Sequence, residues 1–307
     1  MPDLSVIIAT RNRAAFLERC LVSLCEQTLD PAHYEICVVH NAGSDDTPAV
    51  VARIAGCYPE RRLFLVDEPV AGLSRARNRG LAATTGEYVA YTDDDATVPA
   101  DWLVRIAARF AEGGADCAIV GGEIDPVWGA PKPDWLTPAM QKYLTAGTGL
   151  GDVARYLSGD ECVCECNAVY RRAALQKAGG FPEQLGRIGD LLLSGENVVE
   201  SVIRQQGGRA FFDPAIRVRH HIHADRLTPL WFRQRFFWQG ITGYAVRQYQ
   251  ARHGVPVTQE AFLNLPLKKE DWGFINKDTS ENLEDSLFLF QSLGFALALT
   301  GLMPVEG

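Results

Sequence analysis

Four short apolar runs open this chain, and each is followed by a segment whose apolar residues recur at helical spacing. Residues 4–9 (Leu-Ser-Val-Ile-Ile-Ala), 35–39, 63–66 and 89–92 read as strands, the first a near-continuous apolar run of the kind a central parallel strand needs when both its faces are covered. Leu17, Cys20, Leu21 and Leu24 mark the first helix. The second begins with Thr47 as N-cap and Pro48 in the first helical position. The third grows out of the loop 72–80, and residues 99–110 form the fourth, with Leu103, Ile106, Ala107 and Phe110 inward. Strand and helix alternating four times predict an α/β fold with a mostly parallel central sheet flanked by helices. Right-handed crossovers then put the loops that begin at Thr10, His40, Asp67 and Asp93 on one edge of that sheet.

The fourth strand ends abruptly on Asp93-Asp94-Asp95. Three adjacent carboxylates repel one another, and they are tolerated if one is protonated, if solvent screens them, or if a cation sits between them. The crevice at the carboxyl ends of parallel strands is where open α/β sheets bind ligands, so a divalent cation there is placed to hold a diphosphate. A solvated acidic turn is the alternative.

Charge narrows the partners. A net −8 over 307 residues argues against nucleic acid, whose phosphates call for a surplus of Lys and Arg. Eight cysteines scattered through apolar segments, and an opening with no basic n-region, point to a reduced, cytoplasmic protein. Cys162, Cys164 and Cys166 fall at every second residue, which places them on one face of a strand rather than at zinc-site spacing.

Beyond a fifth strand at 117–121 the pattern loosens. Pro126, Trp128, Pro131, Pro133, Trp135 and Pro138 suggest a loop lying over the molecule. A strand at 162–170, a helix at 171–178, a loop from Gly179 to Gly195 and a helix from Glu196 follow, then two short strands ending at Phe212 and His221. Residues 226–253 carry five arginines, no acid and seven aromatics, as a helix packing its aromatic stripe on the core would, or one meeting an anionic surface. The uncharged run 286–305 reads as a buried or interfacial C-terminal helix, which leaves a peripheral membrane contact open.

No P-loop and no Gly-rich dinucleotide motif follows the first strand, so a nucleoside-diphosphate sugar is the diphosphate ligand left. At this point the residues carry a resemblance. Residues 4–13, then 21–28, then Asn41-Ala-Gly-Ser-Asp-Asp-Thr47, then Ala76-Arg77-Asn78, then Thr92-Asp-Asp-Asp95 with Pro99 and Trp102-Leu103 resemble, in order and spacing, family 2 inverting glycosyltransferases of the GT-A fold. The likeness continues more weakly through Asn167, Gly179-Gly-Phe181, Gly195-Glu196 and His220-His221.

The resemblance implies a donor-binding half at 1–122, an acceptor-binding and catalytic half at 123–224 and a C-terminal helical extension at 225–307. It implies nucleoside-binding loops at Ala9, Thr10, Arg11 and Asn41, with Arg77 and Asn78 near base or diphosphate. Asp93 and Asp94 would meet ribose and diphosphate, and Asp95 a Mn2+ or Mg2+ ion, with His220 or His221 as a further ligand, His221 being taken as the one beside Asp95. Trp128, Trp135, Asn167 and residues 181–193 would surround a glycan, lipid-linked or small-molecule hydroxyl acceptor.

Two positions depart from the family pattern. Neither His40 nor Asn41 is the usual aspartate of the second loop, which loosens the expected preference for uridine. The late acidic pair is reduced to Glu196-Asn197, so Glu196 is the candidate base, because Asn197 cannot take a proton, and Asp190 is the second choice. A nucleotidyltransferase of related fold and a non-catalytic nucleotide-sugar-binding protein are the competing readings.

Overall fold

The apolar runs form four parallel strands. In a computed structural model that describes residues 2–187, 196–254 and 283–301, β1 (Leu4–Thr10) pairs with β2 (Tyr34–Asn41) and β4 (Tyr88–Asp93), and β2 pairs with β3 (Leu63–Glu68). Between them run α1 (Ala14–Cys25), α2 (Thr47–Cys57) and α3 (Leu73–Ala83). Leu4, Val6 and Ile8 face one apolar cluster and Ile7 the other, so β1 is covered on both sides. Leu17, Cys20, Leu21 and Leu24 of α1 are all buried, and each of the three leucines contributes roughly 1.5–3 kcal/mol of burial. Thr47 is the first residue of α2 rather than its cap; Asp46 holds the cap position, and Pro48 sits in the first turn.

The second half departs further from expectation. After β5 (Ala96–Thr97) and α4 (Trp102–Glu112), β6 runs from Cys117 to Trp128, through Pro126. Its pairing with β8 (Ala168–Arg171) stops at Gly121, and from there, among the described residues, β9 (Arg209–Ile222) is the one strand β6 pairs with. A proline is tolerated on such an edge because no partner needs its missing N–H. What reads as a loop over the molecule is therefore partly strand, followed by the short α5 (Pro138–Gln141). Residues 162–167 belong to no strand: Cys164 is locally extended, but Glu165–Asn167 form a 3-10 turn, so the three cysteines share no strand face. The two expected late strands are one, β9, which shifts register across Gly122–Glu123 and also pairs with β7 (Arg155–Tyr156).

The sheet order is β3-β2-β1-β4-β8-β6-β9-β5, parallel at one end and mixed at the other. α6 (Arg172–Lys177) and α7 (Glu196–Gln205) lie beyond β8 in the chain. The extension is α8 (Pro229–His253) with α9 (Leu283–Leu299), gathered with α5 around Leu136, Met140, Phe232, Phe236 and Leu287. The two helices approach closely where both carry glycine. A Cβ on Gly240 would collide with the Gln291 carbonyl, and one on Gly294 with the Phe237 carbonyl. Among the described residues, no helix is long and apolar enough to cross a membrane.

Candidate active site

Asp94 and Asp95 form the tight turn between β4 and β5. β5 lies antiparallel to β9 with Ala96 opposite His220, and the His221 N–H donates to the Asp95 carbonyl at 2.9 Å. Neighbouring side chains on a strand leave on opposite faces. The histidine that turns toward the acids is His220, with its Nε2 3.3 Å from Asp95 Oδ1, whereas the ring of His221, taken from the sequence as the ligand, is not part of the acidic cluster. Asp93, Asp95 and His220 each bring a ligand atom to within 4.8 Å of the others. Two carboxylates and an imidazole suit manganese or magnesium better than a soft metal.

Asp94 points elsewhere. It accepts the Thr10 hydroxyl at 2.7 Å and an Arg13 N–H at 2.7 Å, which ties the end of β1 to the acidic turn. Burial pushes its carboxyl up to about 6 despite the pull of Arg13. Burial would raise Asp95 too, but the two imidazoles of His220 and His223 and the charge of Arg13 hold it well below the usual carboxylate range. Arg13 reaches Asp95 at 2.9 Å, His223 Nε2 at 3.0 Å, and Arg226 at 3.7 Å. Asp95 is 2% exposed, so this carboxylate is surrounded by cationic and polar groups in a poorly solvated setting.

Arg13, His223 and Arg226 did not stand out in the sequence. Arg13 lies inside the motif Thr-Arg-Asn-Arg, and three histidines within the four residues 220–223 were the available signal for His223.

The other expected site residues divide into open and committed. Ala9 is half-buried and Arg11 is exposed, both at the end of β1. Asn41 donates to the carbonyls of Glu68 and Val70 and accepts from the Gly72 N–H, so it fastens the loops after β2 and β3. Asn78 bonds both the N–H and the C=O of Phe181, and Arg77 lies over the Phe181 ring at 5.3 Å. Gly180 fits there at a φ of 72° with Asn78 packed against it, where a side chain would be both strained and obstructed. Asn167 is 0% exposed; its amide donates to the Glu123 and Ile216 carbonyls and accepts from Trp102 Nε1. That geometry makes Asn167 a clamp between strands and leaves it no surface for an acceptor. Trp135 is half-buried against Phe232. Glu196 opens α7, but its side chain and the whole of Asp190 lie outside the described residues.

The model of the family described as Glycosyl transferase family 2 matches residues 5–179. The chain belongs to that family. It is a glycosyltransferase of the GT-A fold, and the nucleotidyltransferase reading falls away. Among similar proteins, the glucosyl-dolichyl phosphate glucuronosyltransferase of Haloferax volcanii is 26% identical over 247 residues, covering 78% of this chain and 75% of that one. The succinoglycan biosynthesis protein ExoM of Rhizobium meliloti is 29% identical over 205 residues, 66% of this chain and 62% of its own length. Among solved structures, the mannosyltransferase PcManGT from Pyrobaculum calidifontis, in complex with GDP-Man and Mn2+, superposes on this glycosyltransferase with a TM-score of 0.61 at 22% identity, covering 98% of this chain and 74% of that one. S. aureus TarS in complex with UDP-GlcNAc gives a TM-score of 0.58 at 15% identity, covering 98% and 92%. At these identities the structures share a fold.

Proposed function

We propose that this glycosyltransferase is metal-dependent and inverting, and that it moves a sugar from a nucleoside-diphosphate donor to a hydroxyl acceptor in polysaccharide, glycolipid or other glycoconjugate synthesis. The observation that carries the reading is the convergence of Asp93, Asp95 and His220 at the carboxyl end of the parallel strands. These three residues would hold a Mn2+ or Mg2+ ion. When bound, such an ion supplies Lewis-acid neutralisation of the charge that builds on a departing diphosphate.

The protein's own groups account for the rest. Arg13 and Arg226, already beside Asp95, are positioned to meet phosphate oxygens by charge-assisted hydrogen bonds. Thr10 and Asp94 hold the β1 loop against the acidic turn, which fixes the floor on which a nucleoside would rest. Glu196, at the start of α7, is assigned as the base that removes the acceptor hydroxyl's proton as it attacks from the side opposite the diphosphate. Attack from that side gives a product of inverted anomeric configuration.

A donor half at 1–122 and an acceptor half at 123–224 would suit this division of work, with 225–307 as a C-terminal extension whose α8 and α9 form an appended layer. The nucleotide sugars bound by PcManGT and TarS support a nucleotide-sugar donor. A lipid-linked acceptor is favoured by relatives named for a glucosyl-dolichyl phosphate and for monoglucosyldiacylglycerol synthesis. Such an acceptor also gives the extension a reason to lie against a membrane.

The test is a thermal-shift screen of nucleotides and nucleotide-sugars with and without Mn2+, followed by NMR of the transfer product. A ligand that binds only the native state raises the melting temperature. Stabilisation by one nucleoside diphosphate that depends on Mn2+, with inverted product, is expected. Full donor binding and turnover in excess chelator would overturn the metal assignment.

A further inference from the structure

We propose that the backbone carbonyl of Thr145, braced by the side chain of Glu123, positions His220 as a cation ligand; the proposal rests on the metal assignment above. His220 Nδ1 lies 3.2 Å from the Thr145 carbonyl oxygen, and a carbonyl can only accept. Nδ1 therefore carries the ring proton. In the neutral ring Nε2 is left with its lone pair, and Nε2 is the atom 3.3 Å from Asp95 Oδ1. A lone pair facing a carboxylate repels it unless a proton or a cation lies between them. The Thr145 contact thus selects the tautomer that binds metal and fixes the plane of the ring, as hydrogen bonds behind metal-binding histidines do elsewhere.

The carbonyl is held where it is by unusual backbone. Thr145 adopts left-handed dihedrals, φ 57° and ψ 41°, at the end of the turn Lys142–Leu144, a conformation that β-branched residues avoid. Its N–H donates to the Lys142 carbonyl at 3.1 Å, and the next N–H, of Ala146, reaches Gln141 at 3.1 Å. Three residues on, the chain is pinned again. Glu123 accepts the Thr148 N–H at 3.0 Å with one oxygen and the Thr148 hydroxyl at 2.8 Å with the other. Glu123 sits on β6, the strand paired with β9, which carries His220. The 145–148 segment is thus a strap from one strand across the ligand of its neighbour. A strained threonine here is explained if its carbonyl must point at His220.

The experiment measures Mn2+ affinity of the full chain, without donor, by electron paramagnetic resonance of the free ion. Thr145→Pro forbids the left-handed dihedrals and moves the carbonyl; Glu123→Ala releases the strap. Each should weaken Mn2+ binding about tenfold or more, the range typical for losing such a supporting bond. Thr145→Gly keeps the carbonyl and suits the dihedrals, so it should bind Mn2+ as the wild type does. Glu123→Gln retains an acceptor for the Thr148 N–H and should recover most of the affinity lost in Glu123→Ala.

The decisive comparison is the cycle with His220→Ala. In that background Thr145→Pro should cost nothing further, because its effect acts through the missing ring. An equal loss in both backgrounds, or wild-type affinity in a folded Thr145→Pro or Glu123→Ala, overturns the positioning role. If His220→Ala itself binds Mn2+ normally, the metal assignment falls, and this proposal with it.

Discussion

The Asp45 carboxylate accepts the backbone N–H of Ala14 at 2.8 Å. Its other oxygen accepts from the Thr47 N–H at 3.2 Å, so one side chain serves the first residues of both α1 and α2. Burial raises the Asp45 carboxyl, but the N–H groups of Ala14 and Thr47 outweigh it and hold the pKa below its ordinary 3.8. A carboxylate depressed on folding adds stability above its unfolded pKa and loses it as pH falls through the folded one. Asp45→Ala should cost about 1 kcal/mol at neutral pH. Urea melts at descending pH should show the gap between variant and wild type closing only below 3.8.

Removing Asp95 should do two separable things. Donor binding should lose its response to Mn2+, and Arg13, His220, His223 and Arg226 should be left without the carboxylate they surround. Breaking a buried charge cluster from one side costs about 3 kcal/mol. Calorimetry of donor binding with and without Mn2+, alongside a thermal melt of Asp95→Ala, tests both. An unchanged melting temperature would contradict the electrostatic description of the turn.

Two adjacent histidines make a clean contrast. His220→Ala should raise the Mn2+ concentration needed for half-maximal transfer by tenfold or more, while His221→Ala should leave it near the wild-type value. Activity titrated against Mn2+ distinguishes them. A reversed order would return the ligand role to His221.

Glu196→Gln keeps size and hydrogen bonding but removes the proton acceptor. Turnover should fall by about 100- to 10,000-fold while the nucleotide dissociation constant stays nearly constant. Retained turnover would pass the base role to another carboxylate, with Asp190→Asn the next variant to assay.

At the α8–α9 crossing, Gly294→Val places a side chain against the Phe237 carbonyl. Overpacking of this kind costs about 1–3 kcal/mol. The signature should be a lower melting temperature together with earlier proteolytic release of the C-terminal helix. A variant as resistant as the wild type would mean the helices do not need their close approach.

The parallel end of the sheet was legible because strands covered on both faces must be apolar throughout, as 4–9 is, and because Pro48 and the α1 leucines announce their helices. The mixed end was not. Pro126 reads as a strand breaker until one knows that β6 has left β8 by then and keeps β9 on one side alone, and a register shift interrupts the pairing of β9, which reads in the sequence as two strands. Polar residues near the site were equally ambiguous. Asn41, Asn78 and Asn167 have the chemistry to touch a ligand, but the amides of Asn41 and Asn78 bond backbone and that of Asn167 bonds backbone and the Trp102 indole, and sequence spacing does not distinguish the two uses. Arg13 and His223 escaped notice because what selects them is proximity across the fold.

His223 stands 128 positions after the carboxylate it touches. During synthesis the ribosome therefore delivers the acidic turn long before the imidazoles that complete it, and of Arg13, His220, His223 and Arg226, the groups beside Asp95, Arg13 is the one already made when the acids emerge. Contacts this distant form late in folding. The emerging amino-terminal half should consequently lack any hold on a cation, and catalysis should switch on only once the last long strand has docked.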